Sequence, residues 1–196
     1  MHNGEEIAKK NLRFKAASSI DANGCTKYDN QGACMEKIPI KDFPFVATPV
    51  VLVATEESGK INVAPHGQYG TVIAKPPTLF ISVMKEHLTA QNIQKTKTFS
   101  VNIPNKMILE RLLQCGISGT EKDKSTIFKT FYRTFNVPMI EECSVNYECE
   151  VVQTIEIAYC FMFLGAIKGI YIDSNCLEES QPNIAKIDPL DLFNNY

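Results

Sequence analysis

A lysine and a threonine four residues apart, Lys85 and Thr89, stand where an apolar run meets a short amphipathic segment. The run Thr78-Leu-Phe-Ile-Ser-Val-Met84 reads as a strand, and residues 88–95 can form a short helix. A strand that turns straight into a helix presents unpaired backbone N–H groups and the positive end of the helix dipole. With an ammonium and a hydroxyl added, that junction suits a phosphate group. A plain helix start, with a solvated lysine and an N-cap threonine, uses the same residue types, so the pair alone leaves both readings open.

A second candidate is Asn62-Val-Ala-Pro-His-Gly-Gln-Tyr-Gly70. Its glycines allow close backbone approach to a flat ligand, and its N–H and C=O groups can meet a polar ring edge. A bulge at a sheet corner would use the same glycines. The run Gly67-Gln-Tyr-Gly70 is not G-x-G-x-x-G and precedes a strand, so it is not a dinucleotide fingerprint. His66 is either a proton donor or a polar loop residue. No G-x-S-x-G, Walker loop, H-E-x-x-H or paired-carboxylate pattern occurs, so hydrolase chemistry has no support and no catalytic acid or base is named.

The elements that must position these residues are mostly strands. Thr48-Pro-Val-Val-Leu-Val-Ala-Thr55 reads as a buried strand, residues 57–60 as a turn with Gly59 at positive φ, and residues 60–64 as the returning strand. A short apolar run over 71–74 precedes Lys75-Pro-Pro77. Residues 98–103 form a strand with Phe99, Val101 and Ile103 on one face. Asn105 is a plausible N-cap for a helix over 106–115 with Gly116 just past its end; Ile108, Leu109, Leu112 and Leu113 make the apolar stripe. Residues 118–133 are charged and hydroxyl-rich and read as an exposed excursion. Residues 144–157 and 159–172 are long strand candidates.

At least six strands with two short helices are too few helices for a doubly wound sheet. Closing the sheet buries such strands without free edges, which predicts a mainly β protein, a small, mostly antiparallel barrel. Residues 1–40 mix charge, Asn, Gly and Ser and read as an N-terminal arm, with a possible helix over 5–17; residues 41–196 form the domain.

A chain of 196 residues with 44% hydrophobic and 21% charged residues supports one globular core. A net charge of −2 gives no general attraction to nucleic acid or anionic membrane. No run is long enough to span a bilayer as a helix, and Lys9, Lys10 and Arg13 lead into no secretory core. Seven cysteines without C-x-x-C spacing, and three histidines none of which pairs with a near cysteine, predict no disulfide framework and no metal site. The cysteines read as small apolar groups in a reduced, cytoplasmic protein. Cys143 and Cys149 differ by an even number and would share a strand face.

The linked order of these motifs resembles a known family. Pro49-Val-Val-Leu-Val-Ala-Thr55, Gly59-Lys-Ile-Asn-Val-Ala64, Lys75-Pro-Pro-Thr-Leu-Phe-Ile-Ser82, Lys85-Glu-His-Leu-Thr89 with Asn92-Ile93, and Phe99-Ser-Val-Asn-Ile-Pro104 follow one another. With Ile140-Glu-Glu-Cys-Ser-Val-Asn-Tyr-Glu-Cys149 and the ending from Asp188-Pro-Leu190 to Tyr196, they look like the flavin reductase-like FMN-binding split β-barrels of the flavoredoxin branch.

The resemblance covers about residues 45–196 and implies FMN, a homodimer and electron transfer. By it, Lys85 and Thr89 hold the FMN phosphate. The loop with Asn62, Ala64, Pro65, His66, Gly67 and Gln68 lines the ring and ribityl chain, with Ser82 and Val83 on the neighbouring strand. Related sequences often carry Ala-Trp-Gly-Gly in the bend, so Gly67-Gln-Tyr-Gly70 departs from the pattern and puts no indole beside the flavin. The implied activity is an FMN-dependent oxidoreductase. NADH, NADPH or a redox partner protein would reduce the flavin, and electrons would pass to free flavin, ferric iron, a quinone or a protein. The alternative is a non-catalytic FMN-binding electron carrier, and a third is a split barrel with an empty flavin site serving as a dimeric interaction module.

Overall fold

The computed structural model describes residues 26–27, 34–35, 49–117, 124 and 126–190. The chain separates into two compact units, Met1–Phe45 and Val46–Tyr196. In the first, β1 (Thr26–Lys27) pairs antiparallel with β2 (Cys34–Met35). The helix expected over 5–17 and the boundary expected at 40/41 lie outside the described residues.

The second unit is built on a seven-stranded antiparallel sheet in the order β4-β3-β7-β10-β11-β6-β5. Its strands are β3 (Val51–Glu57), β4 (Lys60–His66), β5 (Tyr69–Ala74), β6 (Pro77–Met84), β7 (Thr98–Ile103), β10 (Val145–Ile157) and β11 (Cys160–Ile172). Ser58 (φ 54°) and Gly59 (φ 76°) make the two-residue turn between β3 and β4, with the hand that matches strand twist. The outermost strands, β4 and β5, are separated in the chain only by Gly67 and Gln68. Two residues span at most about 7 Å beyond a single step, so the sheet must roll until its edges nearly meet.

The roll is a barrel, but it is split, which corrects the expected closure: β4 and β5 do not pair. Pro65 suits an edge strand, where a missing N–H costs no ladder bond. Helix α1 (Leu88–Thr96) packs against β3, β4 and β6 and so bridges the gap.

Strand alternation gives the sheet two apolar faces. Val51 and Val53, Leu79, Ile81 and Val83, Phe99 and Val101, Cys149 and Phe163 fill the interior with Ala90 and Ile93 of α1. Gly165 lets Phe99 in: a Cβ there would stand 2.6 Å from the Phe99 ring. On the other face Val50, Leu52, Ala54 and Val63 pack against helix α2 (Leu109–Ile117), Ile140 and Leu190. A short strand pair, β8 (Thr130–Phe131) with β9 (Met139–Ile140), covers part of this face. It is fixed by Ser100 Oγ donating to Pro138 O (2.6 Å) and by Ile140 N donating to Asn102 Oδ1 (3.1 Å). The chain ends in β12 (Leu177–Glu178), β13 (Gln181–Pro182) and α3 (Ile184–Ile187).

Four expectations are corrected. Gly116 lies inside α2, which runs on to Ile117. Leu113 is exposed, because the helix turns its face outward there. Lys124, within the stretch read as exposed, is 5% exposed. Its Nζ donates to Val63 O (2.8 Å) and to Cys115 O (3.1 Å) near the negative end of α2. Cys143 precedes β10 and packs on the α2 side, whereas Cys149 points into the barrel. No helix among the described residues is long and apolar enough to cross a membrane.

Candidate functional site

The site lies where the two edges of the sheet approach each other. Alternation along β4 sends Asn62, Ala64 and His66 to the face opposite Val63, which is the face α1 meets. Thr55 and Asn62 are cross-strand partners on β3 and β4. Thr89 and Asn92, three residues apart, share one face of α1. Asn62 Nδ2 donates to Thr89 Oγ1 (2.9 Å), and Asn92 Nδ2 donates to Thr55 Oγ1 (3.1 Å). All four side chains are buried, so this ladder fixes the helix against the sheet edge.

The start of α1 is left open. His87 is its N-cap, with no side-chain cap bond and no acidic residue in the first turn. Ala90 N and Gln91 N donate to His87 O, so the amides of Leu88 and Thr89 are the first-turn donors without an intrahelical acceptor. The Thr89 oxygen accepts from Asn62, and its own O–H has no acceptor among the described residues.

Lys85 sits on the turn before the helix. Its backbone N donates to Tyr159 O (3.0 Å), tying the turn to the β10–β11 hairpin. Its ammonium pairs with Glu156 and lies 5.4 Å from the centre of the Phe161 ring. Glu156 and Phe161 are cross-strand partners, so one register places both beside the lysine. The side chains of Lys85 and Glu156 are 32% and 67% exposed, so water screens the pair.

Gln68 joins the loop to β6, its carbonyl accepting from Ser82 N (2.9 Å). Ser82 and Val83 point to opposite faces: Val83 is a core residue, and Ser82 is half-buried on the outer face. Tyr69 turns into the interior, where burial and then Tyr147 push its hydroxyl pKa up.

His66 is 7% exposed, and its Nε2 has no hydrogen-bond partner. Burial, then repulsion from His87 and Lys124, lowers its pKa to about 4. The imidazole is therefore neutral near pH 7, with a nitrogen available to a ligand.

The structure thus brings Asn62, Ala64, His66, Thr89 and the α1 amides onto one face, with Lys85 at its side and Gln68 bonded to Ser82 across the loop. Four contributors were not singled out from sequence. Glu156 and Phe161 lie more than seventy residues from Lys85 and reach it only through the sheet. The Thr89/Asn92 spacing does carry a signal, an i, i+3 polar pair, but its partner Thr55 does not.

The outer face of β6, β11 and the end of β10 is apolar, and no described element covers it. Phe80 and Met84 stand beside Leu164, Met162 and Cys160, with Ile155 and Ile157 next along the sheet. Met84, Ile155 and Ile157 are 37%, 36% and 48% exposed, and Val72 of β5 is 49% exposed. Ser82 belongs to this face.

Comparison with known proteins bears on this geometry. A flavoredoxin from Methanosarcina acetivorans superposes with a TM-score of 0.76 at 38% identity, over 81% of this chain and 87% of that one. A flavoredoxin of Desulfovibrio vulgaris (Miyazaki F) does so with a TM-score of 0.72 at 24% identity, over 80% and 87%. An FMN-binding protein from Thermus thermophilus shares the fold, with a TM-score of 0.67 at 19% identity over 78% and 86%. The family described as the flavin reductase like domain matches residues 43–192. This chain therefore belongs to the flavin reductase-like split-barrel family, on its flavoredoxin branch.

Proposed function

We propose that this protein is an FMN-binding oxidoreductase that passes electrons from NADH, NADPH or a redox protein through the flavin to an acceptor. Family membership supports a flavin-linked redox role, and one observation carries the choice of FMN. The uncapped start of α1, with two free amides and the Thr89 hydroxyl, lies against the buried Asn62, and the Lys85 ammonium flanks it. Those donors suit a phosphomonoester. The orphaned His66 Nε2 offers a further polar contact to a ligand on the same face.

The residues present fit the cofactor. Leu88 N, Thr89 and Lys85 would hold its phosphate, and the segment from Asn62 to Gln68 would line the rest. FMN supplies the hydride and electron chemistry when bound. The chain contributes position and polarity: the helix terminus fixes the anionic end, and the rigid ladder Asn62–Thr89 and Asn92–Thr55 holds that terminus still. A neutral His66 neither adds nor withdraws charge near the ligand at pH 7.

A homodimer is part of the same proposal. The uncovered face around Met84, Ile155, Ile157 and Val72 is the kind of sheet surface a second copy covers. The backbone bond between Ser82 and Gln68 ties the site's loop to the strand that carries this face, which would bring the flavin near the interface.

The test is purification, flavin extraction and anaerobic mixing with NADH and with NADPH. FMN release with bleaching by either nucleotide supports the oxidoreductase. FMN that neither nucleotide bleaches supports the carrier reading, and a protein that takes up no flavin overturns both.

A further inference from the structure

A cavity of about 690 Å³ opens on the sheet face opposite the barrel interior, at the start of β10 and the end of β11. Asn146 and Tyr171 are cross-strand partners there. They point away from Val145 and Tyr147, which face the core. The β8–β9 segment forms the other wall.

Three features mark this cavity as built to receive a molecule. Asn146 is 4% exposed; its Nδ2 donates to Cys143 O (3.2 Å), but its Oδ1 has no partner. A buried acceptor left unpaired is costly and calls for an N–H or O–H donor. Second, Arg133 is held in place without an acid. Its guanidinium lies 5.1 Å from the Phe131 ring and 5.9 Å from the Tyr171 ring, which meet edge to face at 6.3 Å. Tyr171 is itself anchored, its hydroxyl donating to the fully buried Glu148 (3.0 Å), which also accepts from Phe135 N (2.6 Å). Third, Glu141 and Asp173 line the same cavity, yet neither forms an ion pair with Arg133 among the described residues. Opposite charges that share one cavity without meeting leave room for a ligand that carries both.

The geometry points to a binding site for a small zwitterionic amino-carboxylate with an apolar side chain, the chemistry of a free apolar α-amino acid. Its carboxylate takes the Arg133 fork. Its ammonium lies toward Glu141 and Asp173 and donates to Asn146 Oδ1. Its side chain rests against the Phe131 and Tyr171 rings, which line the cavity. The volume falls in the range of small-molecule pockets and leaves space for water beside the ligand. The site is separate from the Lys85–Thr89 cluster, so it stands or falls independently of flavin binding.

Titration calorimetry of the full-length protein with L-phenylalanine, L-phenylalaninamide and N-acetyl-L-phenylalanine tests this. The amide lacks the carboxylate and the acetyl derivative lacks the ammonium. The expected result is saturable binding of the amino acid, with each derivative weaker by about tenfold or more. Arg133→Gln, at an exposed position, is expected to weaken the amino acid by a similar factor and leave flavin content unchanged. Asn146→Leu, which removes the acceptor, should do the same if it folds; Arg133→Gln keeps the question decidable if it does not. Three outcomes overturn the assignment: no binding of the amino acid up to about 20 mM, equal binding of all three compounds, or unchanged binding in Arg133→Gln.

Discussion

The pairing of Lys85 with Glu156 sets up a sharp test of the phosphate site, because the two partners should have opposite effects on one ligand. Both side chains are substantially exposed, at 32% and 67%, so the pair itself is worth about 0–1 kcal/mol. Glu156→Gln frees the ammonium from that competitor. The gain in FMN affinity is therefore bounded at about fivefold, the equivalent of ~1 kcal/mol. Lys85→Ala removes a hydrogen bond to a charged group and should cost roughly 1.5–3 kcal/mol, or about 10- to 150-fold in Kd. Riboflavin, which lacks the phosphate, should register neither change. The assay is fluorescence titration of flavin-free protein with FMN and with riboflavin, for wild type, both single variants and the double variant. In the double variant the benefit of Glu156→Gln should vanish, since no ammonium remains to free. If Lys85→Ala binds FMN as wild type does, or loses riboflavin affinity equally, the ammonium does not hold the phosphate. If Glu156→Gln weakens FMN, the carboxylate supports the site and does not compete for it.

Other outcomes follow from the interior. His66 is held neutral with a pKa of about 4, while the unfolded residue titrates near 6.5, so the unfolded state binds the extra proton first. Its contribution is complete above pH 6.5 and is lost as pH falls toward 4, by up to ~1.4 kcal/mol per unit and ~3 kcal/mol in all; denaturation midpoints of His66→Gln that keep the wild-type slope across that window would refute this. Gly165→Ala places a methyl 2.6 Å from the Phe99 ring and 3.3 Å from Cys149 Cβ, and should cost about 1–3 kcal/mol by thermal or urea unfolding; an unchanged midpoint would show that the ring moves freely. Cys143 and Cys149 are buried on opposite faces of the sheet, and burial pushes both thiol pKa values up. Cys143→Ala/Cys149→Ala should therefore lower stability by about 1–3 kcal/mol yet keep flavin content and turnover; turnover lost with FMN still bound would reveal a thiol relay.

Much of this fold is written in local pattern. The strand Thr98–Ile103 follows from its alternation alone, the hairpin at Ser58–Gly59 from its turn residues, and the start of α1 from the end of the apolar run before it. Asn105 caps as its type suggests, accepting from Met107 N (3.0 Å). What escaped depends on distant register. Nothing near Lys124 shows that Val63 and Cys115 will offer carbonyls to its ammonium. Nothing near Lys85 shows that a hairpin seventy residues on will bring Glu156 beside it. The divergence of Ser82 and Val83 is a different case: adjacent strand residues face opposite ways, so period-two reasoning alone assigns Val83 to the core and leaves only its backbone for a ligand.

The split in the barrel and the position of the site have one cause. Only Gly67 and Gln68 link the two edge strands, and β4 and β5 stay unpaired. Each edge therefore keeps backbone groups outside the sheet ladder, and on β4 Lys124 takes two of them, Ile61 O and Val63 O. A closed barrel would have used those groups on itself. Here the gap is bridged by α1, whose buried polar contacts point to β3 and β4 while its first amides stay free. The same seam that leaves the sheet incomplete thus sets the free α1 amides and the orphaned His66 Nε2 beside a rigid wall. A flat, polar-edged ligand with an anionic tail would complete the hydrogen bonding that the sheet leaves open, which is why the seam, and not the mouth of a closed barrel, is where such a ligand belongs.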